Sequence, residues 1–283
     1  MIRRPPRSTQ SRSSAASDVY KRQHLHHAGH PALLRLPLEL GRPYCLTIHD
    51  YSWVCPQTTL IDESGIYCGE PPLESCEKCL RLNGAHPLMR AWFQGHSGTV
   101  AGLRKASADL AAKAALVLCP SRDALQRIRR YFPDARLELR PHPESTPVQP
   151  ASLAAGGEPL RVALIGAIGP HKGAEVLLAC ARHAWQQRLP VEFVVVGHAS
   201  NEAALRRLPN VSITGPYRED EVFQRIRDLR LSVAFFPAVW PETYSYALSV
   251  ALAAGLYPVA FDVGAIAERI RATGYGRLLK LTK

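Results

Sequence analysis

The sequence lacks the features that mark a membrane-spanning or exported protein. None of its 283 residues lies in an uninterrupted apolar run of about 18 to 20 residues, the length that a membrane-spanning helix needs. No apolar core of a secretory signal follows Met1. We therefore expect a cytoplasmic protein. The composition, 46% hydrophobic and 21% charged, is globular, and the length suffices for two cores.

Basic runs interleaved with aromatic residues are also absent, as are helix-turn-helix and zinc-finger spacings. The net charge is +11, but residues 1–23 hold six Lys and Arg residues and one Asp, so +6 is spread over the remaining 260 residues. This balance favours anionic small molecules as partners and argues against nucleic acid. Peripheral contact with an anionic membrane surface is the alternative.

Residues 1–23 show neither helical nor strand periodicity and are rich in Arg and Ser. This composition predicts a disordered tail. The segment also resembles translated sequencing-adaptor read-through, in which case it has no biological role and the true N-terminus lies upstream. A genuine basic arm is the alternative.

From residue 160 onward, apolar strand-like segments alternate with helix-compatible segments. The predicted strands are 161–168, 191–197, 211–214, 231–237 and 257–262, and the predicted helices are 173–187, 202–207, 219–229, 244–254 and 265–272. This alternation predicts a parallel sheet covered on both faces, with its ligand at the carboxyl ends of the strands.

The preceding part of the chain shows the same pattern less regularly. Short apolar strands are predicted from Arg42 to a carboxyl end at His49 and Asp50, and at 114–121, with helical spacing over 91–112. The segment 141–159 is rich in Pro, Ser, Ala and Gly and predicts a linker. We therefore expect an N-terminal Rossmann-like domain over 24–140 and a C-terminal one over 160–283.

Two strand ends carry residues suited to phosphate binding. GAIGPHKG ends the strand 161–168, where Gly166 and Gly169 permit close backbone approach and Lys172 stands near a helix N-terminus. A lysine that is merely solvated is the alternative interpretation. After strand 231–237, Glu242 and Thr243 precede an apolar helix whose N-terminus, with the hydroxyls of Thr243 and Ser245, could hold a diphosphate. Simple capping of this helix by Glu242 and Thr243 is the alternative.

These two motifs, with HDYSWVCP in the first half, resemble glycosyltransferase family 4 over about residues 25–281. The resemblance implies a GT-B fold, two Rossmann-like domains facing across a cleft, with the N-terminal one incomplete. It implies hexosyl transfer, with retention, from a nucleotide diphosphate sugar to a glycan or lipid-linked acceptor, as in polysaccharide biosynthesis. The implied roles are Glu242 and His49 at the donor sugar, Thr243, Tyr244 and Ser245 along the diphosphate, and Lys172 neutralising it.

Two positions depart from the family. Val250 stands where a glutamate usually contacts the ribose of the donor, and Ala167 stands where an arginine is usual. A catalytically silent fragment or nucleotide-sugar-binding module is therefore an alternative function, and a nucleotide-sugar epimerase is a further one. The chain has no Asp-x-Asp, the carboxylate motif by which another glycosyltransferase architecture chelates a metal, so we expect metal-independent transfer.

Four cysteines fall within 55–79, spaced C-x12-C-x7-C-x2-C. Two residues between thiolates let both reach one ion, so the last pair is half of a tetrahedral zinc site, whereas the first pair lacks that spacing. The sequence leaves two interpretations open: structural zinc and four reduced thiols. The candidate ligands are Cys55, Cys68, Cys76 and Cys79.

Overall fold

The computed structural model describes residues 29–94, 98–143, 159–218 and 220–282. They form two separate parallel sheets, one on each side of 144–158. We call residues 29–143 the N-terminal region and residues 159–282 the C-terminal region. The domain boundaries predicted from the sequence remain predictions, because residues 1–28, which include the expected tail, and most of the expected linker lie outside the described residues.

The N-terminal region holds a three-stranded sheet of order β1-β2-β3, in which both pairs are parallel. Its elements are α1 (Pro31–Glu39), β1 (Cys45–Thr47), α2 (Leu73–Asn83), a 3-10 turn (Pro87–Met89), α3 (Arg90–Phe93), α4 (Val100–Lys113), β2 (Leu116–Cys119), α5 (Arg122–Tyr131) and β3 (Leu137–Leu139).

The C-terminal region holds a six-stranded parallel sheet of order β6-β5-β4-β7-β8-β9. Its elements are β4 (Leu160–Ile168), a 3-10 turn (Pro170–Lys172), α6 (Ala174–Gln186), β5 (Val191–Ala199), α7 (Glu202–Leu205), β6 (Val211–Ile213), α8 (Val222–Asp228), β7 (Val233–Phe236), α9 (Tyr246–Ala253), β8 (Tyr257–Phe261), α10 (Gly264–Thr273) and β9 (Arg277–Leu279).

The strand order reverses between β4 and β7. The chain runs outward from β4 through β5 to β6, and then outward on the other side from β7 through β8 to β9. At such a switch point the connecting loops diverge and leave a crevice at the carboxyl ends of the strands. The sheet thus directs the loops after Ile168 and Phe236 to the place where a ligand is expected.

The six-stranded sheet is covered on both faces. Alternate residues of β4 belong to different apolar clusters: Ala163 and Ile165 pack on one side, and Val162 and Leu164 on the other. Successive side chains of a strand point to opposite faces of the sheet, which separates these two pairs. Because both faces are buried, the strands are apolar throughout and do not alternate apolar with polar residues. The sheet edge is therefore a rigid base for the loops above it.

The predicted fold class is confirmed, since the structure is an α/β fold of parallel Rossmann-like sheets. The helical spacing over 91–112 corresponds to two helices. Helix α3 ends at Phe93 and α4 begins at Val100, because the hydroxyl of Thr99 accepts from the N–H of Gly102 (2.9 Å) and caps a new helix. The sequence also failed to indicate α1, α2 and β9. In the described part of the chain, every helix falls short of the length and apolar character that a membrane span requires.

The two regions are joined by hydrogen bonds in which backbone groups take part. The N–H of Tyr67 donates to the carbonyl of Val239 (2.7 Å). Farther along the boundary, the carboxylate of Glu268 on α10 accepts from the N–H groups of Arg122 (3.0 Å) and Asp123 (2.7 Å). A carboxylate at the first turn of α5 satisfies N–H groups that have no partner within that helix. The loops after β7 therefore face the N-terminal region.

Candidate functional site

The turn after β4 is packed against the end of β7. Gly173 has φ +80°, and a Cβ built on it would lie 2.0 Å from the carbonyl oxygen of Pro237, so only glycine fits this approach. The N–H of Val239 donates to the carbonyl of His171 (3.1 Å). These contacts fix the 3-10 turn that carries Lys172 beside the loop that carries Glu242.

Lys172 and Glu242 meet at this edge of the sheet. The Nζ of Lys172 lies 4.0 Å from Oε1 of Glu242, although seventy residues separate them in the chain. The Glu242 side chain is only 9% exposed, whereas that of Lys172 is 32% exposed. The lysine is therefore the member of the pair that a ligand can reach from solvent, with the carboxylate behind it.

Burial dominates the electrostatics of Glu242. Loss of water around the carboxyl raises its pKa, while the Lys172 ammonium and a hydrogen bond from Ser245 pull the pKa down without cancelling the effect of burial. A small cavity of about 20 Å³ borders these three residues. It has room for about one water molecule, so a larger ligand must occupy the more exposed side near Lys172.

The backbone of Glu242 is held by the start of α10. Gly264 has φ +69°, and a Cβ on it would lie 2.6 Å from Cα of Pro241 and 2.7 Å from the nitrogen of Glu242. The N–H of Ala265 donates to the carbonyl of Glu242 (2.9 Å). The loop cannot shift toward α10, and it cannot move away without losing this hydrogen bond.

Arg269 on α10 holds the next part of the loop. Its guanidinium donates to the carbonyl of Ser245 (2.7 Å) and to the hydroxyl of Ser249 (2.9 Å), and it lies 4.5 Å from the ring centroid of Tyr244. Ser245 has φ +91°, a backbone conformation that residues other than glycine rarely adopt and that needs such support. The sequence analysis singled out neither Arg269 nor Gly264. The sequence around these two residues does not indicate a contact with the loop of Glu242.

The capping interpretation of Thr243 and Glu242 is wrong. Helix α9 begins at Tyr246, and no side chain makes a capping hydrogen bond at its N-terminus. Thr243 instead donates its hydroxyl to the backbone carbonyl of His49 (2.6 Å). The structure thus brings His49, which follows β1 closely, to the residue beside Glu242.

The other predicted donor-binding residues lie around this edge in different settings. Tyr244 is buried, and its hydroxyl donates to the carbonyl of His142 (3.2 Å). Val250 is partly buried on α9 and packs against the larger apolar cluster. A Cβ on Gly169 would lie 3.1 Å from the ring of His171, whereas Gly166, at φ +106°, has open space there.

A larger cavity, of about 930 Å³, lies beside the ends of β8 and β9 and is bounded by α5 and α10. Its three carboxylates already have partners in the chain: Asp262 pairs with Arg271, Asp123 pairs with Arg127, and Glu268 accepts from the first turn of α5. Neither Lys172 nor Glu242 lines it. We therefore place the candidate site at the ends of β4 and β7.

The four predicted zinc ligands share a cavity of about 190 Å³ in the N-terminal region. Within the described ranges, however, no group of three or more His, Cys, Asp or Glu side chains is arranged so that it could hold a metal ion. The four cysteines that line the cavity, all free thiols, are Cys55, Cys68, Cys76 and Cys79.

Comparison with known families shows which part of the chain resembles a known domain. Residues 159–281 match the family model described as Glycosyl transferases group 1. The matched stretch contains β4, β7, Lys172 and Glu242, so the switch-point crevice belongs to the glycosyltransferase-like part of the chain. No curated protein sequence matches the chain significantly.

Solved structures give the same fold. HepE from Anabaena in complex with UDP and glucose is 15% identical, with a TM-score of 0.52, over 87% of this chain and 60% of that one. HepE in complex with UDP is 14% identical, with a TM-score of 0.53, over 88% and 62%. Sucrose-phosphate synthase from Thermosynechococcus elongatus is 17% identical over 65% and 49%, with a TM-score of 0.49. The chain thus spans less than two thirds of these proteins, and the likeness to HepE shows the GT-B fold.

Proposed function

We propose that this protein moves a hexosyl group from a nucleotide diphosphate sugar to a hydroxyl of a glycan or lipid-linked acceptor, as in polysaccharide biosynthesis. The observation that carries the proposal is the meeting of Lys172 and Glu242, 4.0 Å apart, at the switch point of the six-stranded sheet. This pair lies within the stretch that matches group 1 glycosyl transferases. HepE, which shares the fold, has been crystallised with UDP and glucose.

Lys172 supplies the charge that a departing diphosphate requires. When the bond between the anomeric carbon and the diphosphate breaks, negative charge develops on the leaving oxygen, and the ammonium stabilises it. The N-terminus of α9, at which no side chain makes a capping hydrogen bond, adds partial positive charge at the same edge. This arrangement supports transfer without a metal, as the missing Asp-x-Asp also suggests.

Glu242 acts on the anomeric carbon, the other atom of the bond that breaks. Positive charge develops at the anomeric carbon as the leaving group departs, and a buried carboxylate in a site of low polarity stabilises it strongly. The acceptor oxygen then forms the new bond to that carbon, and its proton passes to the departing diphosphate. Thr243 donates to the carbonyl of His49, and this contact with the N-terminal region supports a role for His49 near the sugar. Retention at the anomeric carbon rests on the family resemblance.

A second candidate function is a catalytically silent nucleotide-sugar-binding module. Val250 favours it, because an apolar side chain stands on α9 where family 4 enzymes usually present a carboxylate to the ribose. Loss of those hydrogen bonds lowers binding by about 1 to 3 kcal/mol if nothing replaces them. We prefer the enzyme, because the Glu242 carboxylate has a role in transfer, whereas binding of a diphosphate needs only the positive charge of Lys172.

The test is product analysis on the full chain. Nucleotide diphosphate sugars of several bases and hexoses are incubated with glycan and lipid-linked acceptors in the presence of a chelator, and nucleoside diphosphate release and acceptor mass are measured. Transfer that Glu242→Gln abolishes supports the enzyme. Binding of a donor without release supports the silent module, and a donor isomer formed without acceptor identifies an epimerase.

A further inference from the structure

Trp240 lies in the loop between β7 and α9, two residues before Glu242, and only 8% of it is exposed. Its ring stands at 90° to the ring of Tyr51 in the N-terminal region, with the centroids 6.1 Å apart. It stands at 80° to the ring of His171 in the 3-10 turn, with the centroids 5.7 Å apart. Both are edge-to-face arrangements at favourable separations. The indole therefore links the N-terminal region to the turn that carries Lys172.

Trp240 and Tyr51 contribute the shape of their rings to this link and not their polar atoms. Tyr51 is fully buried, and neither its hydroxyl nor the indole N–H of Trp240 has a hydrogen-bond partner among the described residues. Buried tyrosines and tryptophans usually have such a partner. The edge-to-face contact and the burial of both rings therefore hold the pair in place. Phenylalanine at either position would preserve these features, whereas leucine would lose the ring.

The backbone beside Trp240 joins the same two parts of the molecule. The N–H of Val239 donates to the carbonyl of His171 (3.1 Å), and the carbonyl of Val239 accepts from the N–H of Tyr67 in the N-terminal region (2.7 Å). Residues 239 and 240 thus contact both the turn and the N-terminal region, one through its backbone and the other through its ring. Because Lys172 directly follows His171 in the chain, a shift of His171 would move the Lys172 ammonium as well.

The ring of His171 has close neighbours in its own turn and in the N-terminal region. A Cβ on Gly169 would lie 3.1 Å from its Cε1 atom, so the turn leaves little room beside the ring. Burial, the Lys172 ammonium and His86 of the N-terminal region lower the pKa of His171, and the imidazole is therefore uncharged at neutral pH. Loss of the Trp240 ring would admit water to the imidazole and raise this pKa, which thus reports on the contact.

We propose that Trp240 is a positioning residue through which the N-terminal region fixes the turn of Lys172, so that the Tyr51 ring affects diphosphate binding. The inference rests on the proposed function, in which Lys172 binds the diphosphate of the donor. Tyr51 is fully buried, so a ligand does not contact it directly. With both rings in place, the Lys172 ammonium stays beside Glu242 (4.0 Å) before the diphosphate arrives. Without them, binding must first order a turn that has lost a restraint, which lowers the affinity.

Calorimetric titration of UDP, GDP, CDP and ADP into variants of the full chain tests the proposal, at a temperature where thermal denaturation shows each variant to be folded. For a nucleotide that binds the wild type, Trp240→Leu and Tyr51→Leu should each weaken binding by about three- to tenfold, the size of one lost aromatic contact. Trp240→Phe and Tyr51→Phe keep a ring and should bind within about twofold of the wild type. Trp185→Leu, at an exposed position on α6, is the control and should leave the affinity unchanged. Equal affinities for the leucine and phenylalanine variants would overturn the proposal.

The pKa of His171, followed by NMR and assigned with His171→Gln, tests the same contacts without a nucleotide. Trp240→Leu and Tyr51→Leu should raise this pKa toward its usual value, and the two phenylalanine variants should leave it low. A pKa that neither leucine variant changes would overturn the proposal. If none of the nucleotides binds the wild type, the proposed function is contradicted, whereas the pKa of His171 still decides whether Trp240 fixes the turn.

Discussion

The edge of the six-stranded sheet and residues 61–83 of the N-terminal region are built on opposite principles. The loop of Glu242 rests on a sheet covered on both faces and is fixed by the close approach of Gly264. No residue between 61 and 83 is buried, and this stretch makes polar contacts with α5, among them the bond of Glu70 to Arg127. A two-sided core therefore positions the loop of Glu242, whereas polar contacts help to hold residues 61–83.

Replacing the buried carboxylate should have the largest effect. Glu242→Gln should lower transfer by about 100- to 1,000-fold, because it removes charge stabilisation at the reacting carbon. The melting temperature should not fall, since the side-chain shape is kept. Steady-state kinetics and thermal denaturation of the same preparations check this. A variant that melts earlier in proportion to its lost activity would assign Glu242 a purely structural role.

Removing the positive charge should come next. Lys172→Met should lower kcat/KM for the donor by about 100-fold, since the ammonium acts on charge that develops in the transition state. Lys113→Met, at the exposed end of α4, is the control and should leave kcat/KM unchanged. Equal kcat/KM values for the two variants would show that Lys172 at the sheet edge has no greater effect than a lysine elsewhere on the surface.

The fixed loop can be tested with the two glycines at the ends of α10, Gly264 in its first turn and Gly274 at its C-cap. Gly264→Ala should lower the free energy of unfolding by about 2 to 4 kcal/mol, because its Cβ meets the backbone of Glu242 at a positive φ. Gly274→Ala has φ +64° but open space around the added atom, and it should cost only about 1 kcal/mol. Denaturant titration measures both. Equal costs would show that the close approach does not restrain the loop.

The smallest expected effect is a dependence of stability on pH. Burial raises the pKa of Glu242 in the folded chain. The stability that its protonated form contributes is therefore fully present below the unfolded pKa and is lost as the pH rises through the folded pKa. The side chain of the Glu242→Gln variant stays neutral at every pH. The free energy of unfolding that this variant gains over the wild type should therefore be larger at about pH 7.5 than at about pH 4. Denaturation at both pH values checks this, and an equal difference would contradict it.

The sequence predicted the C-terminal strands well, because few folds other than a parallel sheet covered by helices accommodate runs of β-branched residues between helical segments. It also predicted that Lys172 and Glu242 lie together, since parallel strands end at one edge of a sheet. Arg269 and Gly264 could not be predicted, because their effect depends on how α10 packs against a distant loop. Thr99 is a residue type that often caps helices, so the sequence could have shown that a new helix begins within 91–112.

The central claim is that the Lys172–Glu242 edge binds a nucleoside diphosphate. Calorimetric titration of UDP and other nucleoside diphosphates into the full chain, Lys172→Met and Lys113→Met tests it most directly. The account predicts that at least one nucleoside diphosphate binds the wild type and Lys113→Met equally, and that Lys172→Met weakens it by about tenfold or more, the loss of one charge-assisted contact. Equal affinity for all three proteins, or no binding to the wild type, would contradict the account.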